Sequence, residues 1–265
     1  MQKDNTRGIY IHIPFCMSKC PYCDFYSVPG ANTGKIEAFA AALENEIDFY
    51  AERYAEKPIE SIYFGGGTPG LLNENCFERL MDALKMKFKI EENVEVSMEV
   101  NPAAVTEDKL LAFRKAGLNR ISIGAQSFDD AVLKILGRIH KAGQITETVT
   151  AARNAGIDNL SLDLMFGISG QTIESWEKSV EAAIASAPEH ISLYSLEIMD
   201  NTRFARDCDK GIYHQTTEED DRKMYKISLE MMDAAGYRQY EISNAAKPGY
   251  ECRHNLRYWS MGEYM

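Results

Sequence analysis

Three of the chain's six cysteines stand close together in the run Cys16-Met17-Ser18-Lys19-Cys20-Pro21-Tyr22-Cys23. Thiolates so placed on one loop can converge on a single polynuclear centre. Pairing two of them would strand the third, and in a reducing compartment closely spaced cysteines more often bind metal or do redox chemistry. A structural zinc would need a fourth protein ligand, for which His12 and Asp24 are the near candidates and Cys252 and His254 the distant ones. An iron–sulfur cube on three cysteines would leave one iron open to a small molecule. As unliganded core the cluster reads poorly, because Pro14, Lys19 and Pro21 share the loop. A second conspicuous run is Gly65-Gly66-Gly67-Thr68-Pro69, whose backbone could approach a ligand without side chains in the way. A tight strand-to-helix turn accounts for the same residues equally well.

The elements that must carry these loops follow from hydrophobic periodicity, which switches repeatedly between short β-rich runs and longer amphipathic stretches. Strands are predicted over 8–14, 61–64, 94–100, 120–126, 160–166 and 190–197, and helices over 35–54, 74–88, 107–116, 130–136, 144–155, 173–187 and 218–235. Gly117, Gly156 and Gly236 read as left-handed helix ends, and Thr106 as an N-cap before two acids. Each strand has one apolar face, as in Ile9, Ile11 and Ile13 or Leu160, Leu162 and Leu164. The opposite face carries Tyr10, His12, Tyr63, Glu95, Ser97, Glu99, Ser122, Gln126, Ser161, Asp163, Ser192 and Tyr194. A doubly wound open sheet would want both faces apolar, so the pattern predicts an α/β fold of another kind, a curved sheet with a polar lumen. Six βα units fall short of the eight that close a barrel, which gives an incomplete (β/α)6 barrel of parallel strands over 1–236. Residues 237–244 look like a further strand opening a C-terminal region, 237–265. In parallel α/β folds functional groups gather at the C-terminal strand ends. The cysteine loop, the glycine run, Glu99, Asn101, Gln126 and Glu197 all fall there, and Asp163 points into the lumen. One rim and one site is the economical reading.

Composition narrows the function classes. The 29 basic against 40 acidic side chains give a net charge of −11, without the electrostatic footprint of a nucleic-acid-binding protein. No run approaches the ~20 apolar residues of a membrane helix, and the polar start lacks the pattern of a signal peptide, so no integral membrane segment and a cytoplasmic location are expected.

The C-x3-C-x2-C loop after the first strand of such a barrel resembles that of the radical S-adenosylmethionine (radical SAM) superfamily. The resemblance implies that Cys16, Cys20 and Cys23 bind a [4Fe–4S] cluster. Its open iron would take the amino and carboxylate groups of S-adenosylmethionine, and an electron from it would cleave that cofactor to a 5′-deoxyadenosyl radical. By the same resemblance the glycine run contacts the cofactor's amino group. The segments around Glu99, Gln126, Arg138 and Asp163 are similar to those of oxygen-independent coproporphyrinogen III oxidases and their relatives. Singly, each of these side chains would pass for a solvated surface group. Together they could accept from the ribose or ammonium groups of S-adenosylmethionine and fork onto its carboxylate. Tyr10, Tyr22, Gly66, Gly67 and Thr68 would complete that lining.

Within this group the sequence is similar to the haem chaperone branch. In the oxidases another cysteine stands two residues after the third, where this chain has Phe25, and His254-Asn255-Leu256-Arg257-Tyr258-Trp259 resembles the chaperones' H-N-x-x-Y-W motif. The resemblance implies haem binding at His254, Tyr258 and Trp259, haem-accepting apoproteins as partners, and an electron donor for the cluster. Oxygen-independent coproporphyrinogen III oxidation is the alternative activity. An imidazole can ligate haem iron and the two rings offer flat apolar surface, although a histidine among aromatics is commonly just packed. No catalytic residue is assigned. Two departures accompany the resemblance: most of the family's C-terminal region is absent, and Ser169 stands where the family usually has proline.

Overall fold

Alternation of apolar and polar residues dictates where the sheet forms, and end signals dictate where the helices stop. A computed structural model describes residues 5–102 and 104–265. Its strands are β1 (Arg7–Ile13), β2 (Phe15–Cys16), β3 (Val28–Pro29), β4 (Ile59–Gly66), β5 (Ile90–Val100), β6 (Arg120–Gln126), β7 (Asn159–Phe166), β8 (His190–Ser195), β9 (Arg238–Glu241) and β10 (Asn244–Ala246). The helices are α1 (Thr33–Tyr54), α2 (Glu74–Lys87), α3 (Glu107–Ala116), α4 (Asp130–Ile135), α5 (Ala142–Asn154), α6 (Ile173–Ala185), α7 (Arg203–Asp209), α8 (Glu218–Ala234) and α9 (Arg253–Trp259). Asn32, Asn73, Thr106, Thr172 and Thr217 each cap a helix by accepting an amide from its first turn. Gly117, Gly156 and Gly236 all take positive φ, as helix ends require.

The main sheet runs in the order β1-β4-β5-β6-β7-β8-β10-β9. The six expected strands are all parallel, and β1 and β9 stand at opposite edges, so the sheet curves without closing. Register keeps like faces together: Ser61 lies opposite Glu95, Glu99 opposite Ser122, Ser122 opposite Ser161, and Asp163 opposite Ser192. The apolar face, including Ile62, Phe64, Met98, Ile121, Ile123, Leu160, Leu162 and Ile191, is fully buried under the helices. Between α6 and α8 the buried Trp176 indole donates to the Met224 carbonyl at 2.9 Å and the Ser228 hydroxyl at 2.8 Å.

Several boundaries differ from the sequence-based expectation. Strand β4 continues through Gly65 and Gly66, because β1 pairs with it that far, and β8 ends at Ser195, leaving Glu197 in the loop beyond. Residues 237–244 do not form one strand. The chain reverses after Glu241, and β9 and β10 form a hairpin that adds antiparallel to β8. The helices α7 and α9, seven residues each, were not expected, since a segment of that length spans only about two turns and shows little periodicity. Ser169, at the place where the resemblance leads one to expect proline, donates its amide to the Tyr213 hydroxyl at 3.0 Å, a bond proline could not make. Residues 263–265 run along the free edge of β1, with the Tyr10 amide donating to the Met265 carbonyl at 2.8 Å.

Candidate functional site

At the C-terminal ends of the strands the lumen opens into a cavity of about 760 Å³. Its wall includes all three clustered cysteines together with Tyr22, Gly66, Gly67, Thr68, Glu99, Gln126, Arg138 and Asp163. Side chains from five strands and three loops therefore meet where the strand ends alone were expected to bring them.

The cysteine loop is held at its base. Strand β2 pairs with β3, the Gly30 amide donates to the Cys16 carbonyl at 3.0 Å, and the Cys23 amide to that of Cys20 at 3.2 Å. The glycine run is stitched to the same base, with the Gly67 amide on the Ile13 carbonyl at 2.8 Å and the Thr68 amide on that of Phe15 at 2.7 Å. A Cβ on Gly67 would lie 2.6 Å from the Phe15 carbonyl oxygen, and one on Gly66, at φ +107°, would lie 2.5 Å from the His12 ring. Tight turn and cavity-facing backbone are thus one feature, because only glycine lets β4 pass this close under the cysteine loop.

A chain of polar contacts joins two of the thiols. The Thr68 hydroxyl lies 3.6 Å from Cys16 Sγ, Asn101 donates to Thr68 Oγ1 at 2.9 Å, Arg138 donates to Asn101 Oδ1 at 2.5 Å and to the Gly124 carbonyl at 2.8 Å, and Arg138 Nη1 lies 3.8 Å from Cys20 Sγ. Burial pushes the Cys23 thiol up, the Phe25 amide opposes this, and the neighbouring Cys20 and Cys16 add to the rise. A bound metal centre would offset that rise at Cys23, because it deprotonates a coordinating thiol outright. Among the described residues no three His, Cys, Asp or Glu side chains are drawn around a single-ion site. His12 is engaged by the Tyr10 hydroxyl at 3.1 Å and the Tyr26 carbonyl at 3.1 Å. The three half-buried thiols on one wall, flanked by Thr68 and Arg138, fit a cluster that takes three protein sulfurs and faces the cavity with its fourth position.

The acids facing this wall are perturbed. Glu99 accepts from the Tyr63 hydroxyl at 3.0 Å and the Gly66 amide at 3.1 Å. Burial, and next the charge of Asp163, hold it up at about 7. Asp163 is raised by burial as well, although Ser122 donates to it at 2.8 Å. Gln126 has φ +62°, in the left-handed region, and its buried Oε1 lacks a hydrogen-bond partner. A strained residue with an unused acceptor on a cavity wall is suited to an incoming donor. Acids, an orphan amide oxygen and an arginine fork suit a zwitterionic ligand bearing hydroxyl groups, the chemistry of S-adenosylmethionine.

Two expectations fall outside this cavity. Tyr10 stands one layer deeper, its ring stacked on Tyr63 with centroids 6.2 Å apart. His254 lies farther down the lumen, only 1% exposed. Its Nδ1 is 2.9 Å from Ser61 Oγ, its Nε2 2.9 Å from the Tyr258 hydroxyl, and its ring stacks on Tyr63 with centroids 5.3 Å apart. Burial lowers it to about 4, so the imidazole is neutral. Tyr258, one turn on along α9, is partly exposed and packs edge-on against the His254 ring with centroids 5.0 Å apart, while Trp259 is exposed. Asn101, Tyr194 and Glu197 line the cavity too, and Met199, Asp221 and Tyr225 do so without having been singled out. Asn101 and Tyr194 were legible as polar-face residues, whereas nothing in the sequence announces that α8 reaches the mouth.

Comparison with known proteins agrees with this architecture. The Radical SAM superfamily matches residues 10–183. The heme chaperone HemW of Bacillus subtilis is 39% identical over 97% of this chain and 68% of its own length. That of Escherichia coli is 37% identical over 97% of this chain and 67% of its own. Among solved structures, the E. coli coproporphyrinogen III oxidase HemN, a radical SAM enzyme, superposes with a TM-score of 0.84 at 25% identity, covering 97% of this chain and 58% of that one. The archaeal Elp3 of Methanocaldococcus infernus shares the fold at 16% identity and a TM-score of 0.58. This chain thus spans about two thirds of the curated relatives it matches and somewhat less of HemN, and it belongs to the radical SAM superfamily and, within it, to the heme chaperone HemW family.

Proposed function

We propose that this chain is a radical-SAM-fold haem chaperone of the cytoplasm, which binds haem and hands it to apoproteins. The observation that carries the reading is identity of 39% to a heme chaperone across nearly the whole chain. Cys16, Cys20 and Cys23 hold a [4Fe–4S] cluster; Gly66, Gly67, Thr68, Glu99, Gln126, Arg138 and Asp163 hold S-adenosylmethionine, with Tyr22 at its edge and Tyr10 behind; His254, with Tyr258 and Trp259, takes the haem. The cluster supplies one-electron reduction when bound, and so requires a protein electron donor. Residues 1–236 form the cofactor barrel, and residues 237–265 open the C-terminal region. A cytoplasmic location is in keeping with the absence, among the described residues, of any helix long and apolar enough to cross a membrane.

Anaerobic iron–sulfur reconstitution followed by EPR of the reduced protein tests the cofactor site. The expected cluster signal shifts with S-adenosylmethionine and is lost in a Cys16→Ala, Cys20→Ala, Cys23→Ala variant. A haem titration and transfer to an apocytochrome test the chaperone. Formation of protoporphyrinogen from coproporphyrinogen under the same conditions would refute the chaperone reading in favour of the oxidase.

A further inference from the structure

The residues proposed for haem and those proposed for S-adenosylmethionine are at different depths of the lumen, yet a single side chain touches both groups. Helix α9 closes the floor beneath the cavity. Glu95, buried inside the lumen, accepts the Arg253 amide at 3.0 Å and the His254 amide at 3.1 Å. Arg257 pairs with Glu60, and a Cβ on Gly8 would strike the Arg257 and His254 side chains at 2.9 and 3.1 Å, so β1 leaves room for the helix. The seated imidazole lies flat against one face of Tyr63, at an interplanar angle of 24°, while the hydroxyl of the same tyrosine donates to Glu99.

We propose that α9 is a coupling element: seated, His254 holds Tyr63 and thereby Glu99 in position for S-adenosylmethionine, and haem ligation withdraws it, so that the two ligands oppose each other's binding. The inference rests on the assignments of the preceding section for both ligands. Its physical basis is that His254 has no free nitrogen in its seat. Iron must displace either the Ser61 or the Tyr258 hydrogen bond, and a ring 1% exposed cannot meet a macrocycle without leaving the face of Tyr63. Tyr63 then keeps only the more distant Tyr10 ring against it, its hydroxyl swings from Glu99, and Glu99 keeps only the Gly66 amide as donor. Each ligand thus has its own preferred state of one two-state element, which is the condition for linkage. In a chaperone the consequence is directional: loading S-adenosylmethionine favours the seated helix and release of haem.

Linkage requires that the effect be reciprocal, which a merely structural histidine does not produce. The test is a haem titration by Soret absorbance on cluster-reconstituted protein with and without S-adenosylmethionine, and a cofactor titration by EPR with and without haem. The expected result is mutual weakening by one common factor of about tenfold, within the usual range of coupling energies. In Tyr63→Phe, which keeps the ring and loses the hydroxyl, both ligands still bind and the factor falls toward one. In Ser61→Ala, which loosens the seat, haem binds several-fold more tightly. Haem and cofactor binding independently in the unaltered protein overturns the inference and leaves the chaperone reading intact. Equal haem affinity in His254→Ala overturns the inference by placing haem elsewhere, and failure to bind haem at all overturns both.

Discussion

Replacing Glu99 by glutamine removes a charge that the lumen disfavours, and the consequence for stability can be worked out with its sign. The carboxyl rises from 4.5 to about 7, first through burial and then through Asp163. A raised acid means that the folded state holds a proton the unfolded state has released, so stability falls as pH rises between 4.5 and 7. At ~1.4 kcal/mol per unit, the shift amounts to a ceiling of ~3 kcal/mol, which water in the open cavity reduces. The glutamine variant does not titrate. The charge-assisted bond from the Gly66 amide, which opposes the rise, is already contained in that shift. Urea unfolding of the apoprotein under anaerobic conditions, from pH 4.5 to 8, should therefore show the variant gaining on wild type by ~1 to 3 kcal/mol. Asp163→Asn should remove part of the same slope, since the two acids titrate as a pair. A stability difference that is flat with pH, or that grows in favour of wild type at pH 8, would refute the account of Glu99 as a buried acid kept partly protonated by its neighbour.

Three further outcomes are expected. His254 has the opposite sign: held down at about 4 by burial, it costs the protein up to ~3 kcal/mol as pH falls from 6.5 to 4, and the acid limb of the urea profile should flatten by that amount in His254→Phe. Gly67→Ala drives a Cβ into two backbone carbonyls and should cost about 1 to 3 kcal/mol with loss of iron on reconstitution, whereas Gly143→Ala, with open space around it, should gain up to ~1 kcal/mol and keep its iron. Trp176→Phe leaves the Met224 carbonyl and Ser228 hydroxyl without the indole donor and should lower the urea midpoint by an amount equivalent to about 2 kcal/mol, checked by far-ultraviolet circular dichroism.

Much of the site was legible before any tertiary information, because its residues are set by one-dimensional rules. Period-two alternation assigns Glu99, Gln126 and Asp163 to the lumen whatever the sheet's curvature, and three thiols on one short loop are neighbours in any fold. Parallel topology then sends the strand ends to one rim. What lay beyond the sequence were contacts between residues far apart in it. That Arg138 bridges Asn101 and Cys20 depends on how β5, β6 and the loop after α4 pack. That 237–244 breaks into a hairpin depends on β8 offering an unpaired edge. The position of His254 is the clearest case. Its neighbours Tyr258 and Trp259 suggest an outward aromatic patch. The side chain instead turns inward, because the polar lumen below the cavity supplies Ser61 and Glu95, and a buried imidazole and two helix-start amides need those partners more than they need solvent. Local sequence specifies which groups are available, and only the closing of the fold decides which of them find each other.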